Sequence, residues 1–179
     1  QTTYIDIVFL HSPDISDKKN ISDVCELLMK LQADGTIRLW GISGKSPDDC
    51  LKFAKEYSPH IVQANLNLLD QRAIGNGLVK YCEDEGIGFI GRTPLCFGFL
   101  TGKYNENTIF HNDDHRSRRS SAQIKIWRGG VEEIKSKYHI KQENTDFALQ
   151  FCLSYPITST IPGMISAKEV KQNVNAVSK

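Results

Sequence analysis

Short apolar runs rich in Ile and Val alternate with helix-period patterns along the whole chain, a rhythm that points to parallel βαβ units. Tyr4-Ile5-Asp6-Ile7-Val8-Phe9-Leu10 is the first run, nearly unbroken, as expected of a strand buried on both faces. Ile21, Val24, Leu27, Leu28 and Leu31 follow at helical spacing, with Asn20 as the expected N-cap and Gly35 as the stop. A second strand spans Ile37 to Ser43, and Ser46-Pro47-Asp48-Asp49 then opens a helix with a capping serine, a proline at its first position and an acidic first turn.

Three more strands are predicted, at His60 to Asn67, Ile87 to Thr93 and Thr158 to Pro162. Between them lie a helix around Gly77 to Glu85 that Gly86 ends, a helix from about Ala122 to Tyr138 and another from about Thr145 to Ser154. A long polar stretch, Tyr104 to Ser121, separates the fourth strand from those last two helices. Ser166-x-x-Glu169 is a capping box for a final helix carrying Val170, Val174 and Val177. A doubly wound open sheet would give the same alternation, but no G-x-G-x-x-G follows any strand.

Composition removes several classes. A net charge of +1 creates no field for nucleic acid or an anionic membrane, and Arg116 to Arg119 is too short a basic run to change that. No apolar run approaches the roughly 20 residues of a membrane helix. Five scattered cysteines, an odd number with no C-x-x-C, imply reduced thiols in a cytoplasmic protein rather than a disulfide framework. His111-Asn112-Asp113-Asp114-His115 has metal-ligand residue types but sits in the polar stretch and reads as solvated loop. No initiator Met precedes Gln1, which suggests that a segment upstream is missing.

The strand ends carry polar groups straight after strictly apolar runs, which packing does not explain. The first ends Leu10-His11-Ser12-Pro13-Asp14, the second Gly41-Ile42-Ser43-Gly44 and the third Gln63-Ala64-Asn65-Leu66-Asn67. The fourth ends Arg92-Thr93-Pro94-Leu95 and runs into Gly98-Phe99-Leu100-Thr101-Gly102; the fifth ends Thr160-Ile161-Pro162-Gly163-Met164. In this order and at these intervals the fragments resemble the aldo-keto reductases, from the middle of that family's fourth strand to its eighth strand and the helix beyond. The resemblance implies a (β/α)8 TIM-barrel-type α/β fold, incomplete here at about five parallel strands, as a single domain over residues 1–179. Functional groups of such barrels gather at the C-terminal strand ends.

It also implies an oxidoreductase that transfers hydride from NADPH or NADH to a small carbonyl substrate. His11 matches the histidine that hydrogen-bonds the substrate carbonyl, and is the one candidate catalytic residue. Ser43 and Gln63 match the side chains that hold the nicotinamide carboxamide, while Gly44 stands where the family usually has asparagine. Arg92 lies where an aromatic or a guanidinium faces the nicotinamide. Leu95, Gly98 and Leu100 match the loop over the cofactor pyrophosphate, and Gly163 and Met164 the segment that holds the adenosine phosphate. Gln172 and Asn173 match the polar pair near adenine. Ile165 occupies the place of the usual Arg or Lys, and an isoleucine cannot pair a 2′-phosphate.

The family's proton donor, a tyrosine tuned by a lysine and an aspartate, lies upstream of the His11 strand. Tyr4 starts that strand at the wrong end, and Tyr57, Tyr81, Tyr104, Tyr138 and Tyr155 match no such position. The chain by itself is therefore expected not to reduce a carbonyl. Five parallel strands leave two open edges, to be covered by a missing N-terminal segment or by another copy in a homo-oligomer. The alternative function is that of a noncatalytic relative that binds or regulates a partner protein. If Ile165 weakens a 2′-phosphate site, Ile165→Arg will tighten NADPH binding and leave NADH binding within about twofold, as titration of each nucleotide will show.

Overall fold

In the computed structural model, which describes residues 2–44 and 46–178, five strands form one sheet in the order β1-β2-β3-β4-β5. They are β1 (Ile5–His11), β2 (Ile37–Ser43), β3 (Ile61–Asn65), β4 (Gly88–Arg92) and β5 (Ser159–Ile161). Helices alternate with them: α1 (Lys18–Ala33), α2 (Pro47–Tyr57), the short α3 (Arg72–Gly75), α4 (Leu78–Asp84), α5 (Ser121–Lys137), α6 (Asn144–Leu153) and α7 (Ala167–Val177). The β2 limits fall where the apolar run predicts them, and Ser46 caps α2 by accepting from the Asp49 N–H at 3.1 Å with Pro47 at the first position.

Two expectations are corrected. Asp17, not Asn20, caps α1: its carboxylate accepts from the Asn20 N–H at 3.2 Å, so Asn20 is itself one of the amides that needed a cap. The helix expected around residues 77–85 is α4, which lies between its caps Gly77 and Glu85, with the short α3 as an additional element before it. The first strand is not buried on both faces. It pairs with β2 alone at one edge of the sheet, and Ile5 is 54% exposed.

The chain packs as two compact units. The first comprises the residues up to Asn65, Gln71–Gly91 and Pro156–Ser159. Its strands β1, β2 and β3 run parallel, and Gly41 pairs with both Phe9 and Ile61. A Cβ at Gly41 would overlap the Ile61 carbonyl, so this register requires glycine there. Ile21, Cys25 and Leu28 recur at helical spacing on α1 and are buried, as are Cys50, Phe53 and Ala54 on α2. Against them stand the equally buried Trp40, Ile42, Val62 and Phe89 of the sheet. Each of the larger side chains contributes on the order of 1.5–3 kcal/mol by leaving water.

The second unit comprises Leu66–Asp70, Arg92–Tyr155 and the residues from Thr160 onward. Leu68, Leu95, Leu100, Val131, Ala148, Leu149 and Ala176 form its core, with Trp127, Phe147 and Phe151 packed against them. The polar stretch after β4 is ordered by an aromatic cluster that its composition conceals. Phe99 meets Tyr104, Phe110 and Trp127 at centroid distances of 5.9, 5.9 and 5.2 Å. The Arg116 guanidinium lies 4.9 Å from both the Tyr104 and Phe110 rings, donates to the Tyr104 hydroxyl at 2.7 Å and grips Asp114 at 2.6 Å.

That grip holds the Asp114 carboxyl down to about 2. Because the folded value lies below the unfolded value of roughly 3.9, the stabilisation is complete above about pH 4 and is lost as pH falls through about 2. Acid titration of the near-ultraviolet circular dichroism of this aromatic cluster should therefore show a transition between those limits. Asp114→Asn, which cannot titrate, should abolish that transition and weaken the packing at every pH.

Candidate active site

Parallel pairing fixes the first half of the site. His11 ends β1 opposite Ser43, and Ser43 ends β2 opposite Gln63. Residues at one register level on neighbouring parallel strands face the same side of the sheet, about 4.8 Å apart from strand to strand. The three residues thus form a row at the C-terminal strand ends, as the strand-end pattern predicts. Ser12, directly after His11, has φ 51° and donates its N–H to the Ser43 carbonyl at 2.7 Å, so the chain turns sharply once the row is complete.

The Ser43 hydroxyl donates to Gln63 Oε1 at 3.0 Å, and Ser43 is only 1% exposed. This bond directs the Gln63 carboxamide and leaves its nitrogen as a donor for a ligand. His11, by contrast, is exposed at the end of the row. Gly44 has a packing reason that the sequence does not reveal: a Cβ there would overlap the Cys50 sulfur, and Cys50 is fully buried. The cysteine fills the space that a larger residue at position 44 would need.

The second unit carries the remaining candidates. Arg92 ends β4, and its carbonyl accepts from the Leu66 N–H at 3.1 Å. Leu95 and Leu100 are 8% and 1% exposed and belong to the unit's core, so only their backbone is left for a ligand. Gly98 has φ +90°, and a Cβ there would press on the Tyr104 ring at 2.9 Å; close ring packing as well as backbone geometry demands glycine. Gly163 is different, because an added Cβ would meet nothing within 4 Å. Met164 is 44% exposed beside it.

Beyond β5 a cleft of about 580 Å³ is lined by Lys103, Lys168, Lys171, Glu143, Asp146 and Glu169, with Ser166, Gln172 and Asn175 between them. Ser166 caps α7 by accepting from the Glu169 N–H at 3.3 Å, as the capping box predicts. The reciprocal half of the box is not formed. The Glu169 carboxylate instead accepts from the Ile165 N–H at 2.8 Å and from Lys103 Nζ at 2.7 Å. The Ile165 amide and then the Lys103 ammonium hold the Glu169 carboxyl below its usual range. Lys103 lies 66 residues from Glu169, so no local spacing could reveal the pair. The Ile165 side chain is 96% exposed and brings no charge to the cleft.

Asn173, beside Gln172 on α7, is 7% exposed, and its Nδ2 is buried without an acceptor among the described residues. An unmet buried donor fits an acceptor edge such as that of a purine ring. Cations beside a helix start likewise fit a phosphate-bearing ligand. The lining of the cleft sets three lysines against three carboxylates.

The sequence model of the Aldo/keto reductase family matches residues 1–179, and the chain belongs to that family of oxidoreductases. An aldo-keto reductase of Babesia bovis is 29% identical over 212 aligned positions, covering 97% of this chain and 74% of that protein. The NADH-specific methylglyoxal reductase of Escherichia coli is 32% identical over 107 positions, 59% of this chain and 32% of the relative. An aldo-keto reductase of Bacillus halodurans, solved in its holo form, superposes with a TM-score of 0.75 at 24% identity over all of this chain and 57% of its own. The five parallel strands and their helices are thus part of a (β/α)8 barrel architecture. The chain spans little more than half the length of that solved relative.

The Gly44–Cys50 contact makes a direct prediction. Gly44→Asn should destabilise the chain by about 1–3 kcal/mol through overpacking. Cys50→Ala should relieve part of that cost, so that the double variant is more stable than the sum of the single changes, by urea denaturation.

Proposed function

We propose that the chain carries the cofactor-binding part of an NAD(P)H-dependent carbonyl reductase. The row formed by His11, Ser43 and Gln63 carries this reading, because it collects three polar side chains from three strands at one rim. When bound, the nicotinamide supplies hydride to the carbonyl carbon. The chain's residues position the reactants. Gln63, oriented by Ser43, offers a donor to the carboxamide, and the exposed His11 imidazole offers a donor to the substrate carbonyl oxygen. On this reading Arg92 would face the nicotinamide, the backbone from Leu95 to Leu100 would bind the pyrophosphate, and the residues from Gly163 through Asn173 would hold the adenosine.

Proton delivery is the step this chain does not provide. Tyr4 precedes β1, Tyr57 and Tyr81 lie on α2 and α4, and Tyr138 and Tyr155 follow α5 and α6. Tyr104 is committed to Arg116. No tyrosine among the described residues ends a strand, so turnover requires a phenol from elsewhere, and further polypeptide at the exposed β1 edge would supply both cover and acid. Among the described residues no helix is long and apolar enough to cross a membrane. A cytoplasmic setting follows as part of the same reading.

A noncatalytic, partner-binding role is the second reading, favoured by the closed space at Gly44, where Cys50 takes the room of a family ligand. Quenching of tryptophan fluorescence by NADH and NADPH separates the two. We expect saturable binding of at least one nucleotide, weakened about tenfold by Gln63→Ala through loss of one hydrogen bond to a polar ligand, and little changed by His11→Ala. Absence of binding by either nucleotide would favour the partner-binding role.

A further inference from the structure

We infer that Glu169 is a specificity-determining residue whose carboxylate makes the second unit's cleft select a dinucleotide with a free ribose diol over one with a 2′-phosphate. The inference rests on the reading of that cleft as the adenosine end of the nucleotide site. Glu169 lines the cleft, one of its oxygens accepts from the Ile165 N–H at 2.8 Å, and the other accepts from Lys103 Nζ at 2.7 Å. A backbone amide at a helix start and the nearest ammonium are the groups a phosphate oxygen would seek. Here the chain's own anion has taken both.

The surroundings strengthen the effect. Ile165 carries no charge, and the remaining cations of the lining, Lys168 and Lys171, are matched in number by Glu143 and Asp146. A phosphate dianion entering beside Glu169 meets a fixed negative charge with no surplus of positive charge to offset it. A ribose diol meets a partner instead. An ionised carboxylate has about four lone-pair positions, of which the two recorded bonds use two, so it can still accept from hydroxyls. The Glu169 side chain, 25% exposed, remains reachable from solvent. One group thus attracts one ligand and repels the other.

Isothermal titration of NADH and of NADPH into the full chain, as wild type, Glu169→Gln and Lys103→Gln, tests this. Wild type should bind NADH at least about tenfold more tightly than NADPH. Glu169→Gln should shrink that ratio about tenfold or more, chiefly by tightening NADPH, because glutamine can still accept from the Ile165 N–H but has lost the charge. Lys103→Gln, which leaves the carboxylate without its cation, should widen the ratio. A wild-type preference for NADPH would overturn the inference, as would a ratio that Glu169→Gln leaves unchanged while both ligands still bind. Binding of neither nucleotide by any of the three proteins would instead remove the nucleotide reading, and this inference with it. If far-ultraviolet circular dichroism shows Glu169→Gln to be misfolded, Lys103→Gln decides, and a ratio equal to wild type overturns the inference.

Discussion

Backbone pairing of β2 with its two neighbours is the interaction on which the rim depends. His11, Ser43 and Gln63 are 20 or more residues apart in sequence, and the one side-chain bond among them, Ser43 to Gln63, does not gather all three. The parallel ladder does so by setting His11 opposite Ser43 and Ser43 opposite Gln63. A slip of one residue would turn every side chain of a strand to the other face. Gly41 makes the observed register possible, since a side chain there would collide with the Ile61 carbonyl and push β3 out of place. The polar row is thus a consequence of a small residue two positions before it.

Electrostatics organise the second unit in a different way. Arg116 is held by Asp114, by the Tyr104 hydroxyl and by two aromatic faces, so a cation serves as the centre of an otherwise apolar cluster. The cleft is lined by both acids and lysines, and the Lys103–Glu169 pair joins the segment after the Gly98 turn to α7. Partly exposed pairs of this kind add little to stability. Their importance lies in how they distribute charge for a ligand.

Much of this was legible in the sequence, because the informative signals were local. The β2 run, the Ser46-Pro47 start of α2 and the Ser166 cap of α7 are short-range patterns, and short-range hydrogen bonds realise them. The strand-end polar residues were legible too, since an apolar run that stops at His11 or Ser43 has a direction. What escaped was set by distance or by neighbours. Asp17 rather than Asn20 caps α1 because two polar residues three apart competed and only one preceded the first free amides. An apolar run such as Ile5 to Leu10 cannot report whether both faces will find partners, and β1 found one. Arginines and acids outnumber aromatics between Tyr104 and Ser121, which hid a cluster completed by Phe99 and Trp127 from outside that stretch.

The five thiols are chemistry withheld. Every cysteine is buried, and burial pushes Cys96 up to about 11 and Cys82 and Cys152 to about 12. At neutral pH these thiols stay protonated, and the reactive thiolate is scarce. Cys82 lies within the first unit and Cys152 within the second, where its sulfur donates to the Leu66 carbonyl at 3.3 Å. An electrophile or oxidant must wait for either unit to open before it can reach these thiols, so their reactivity is governed by breathing motions.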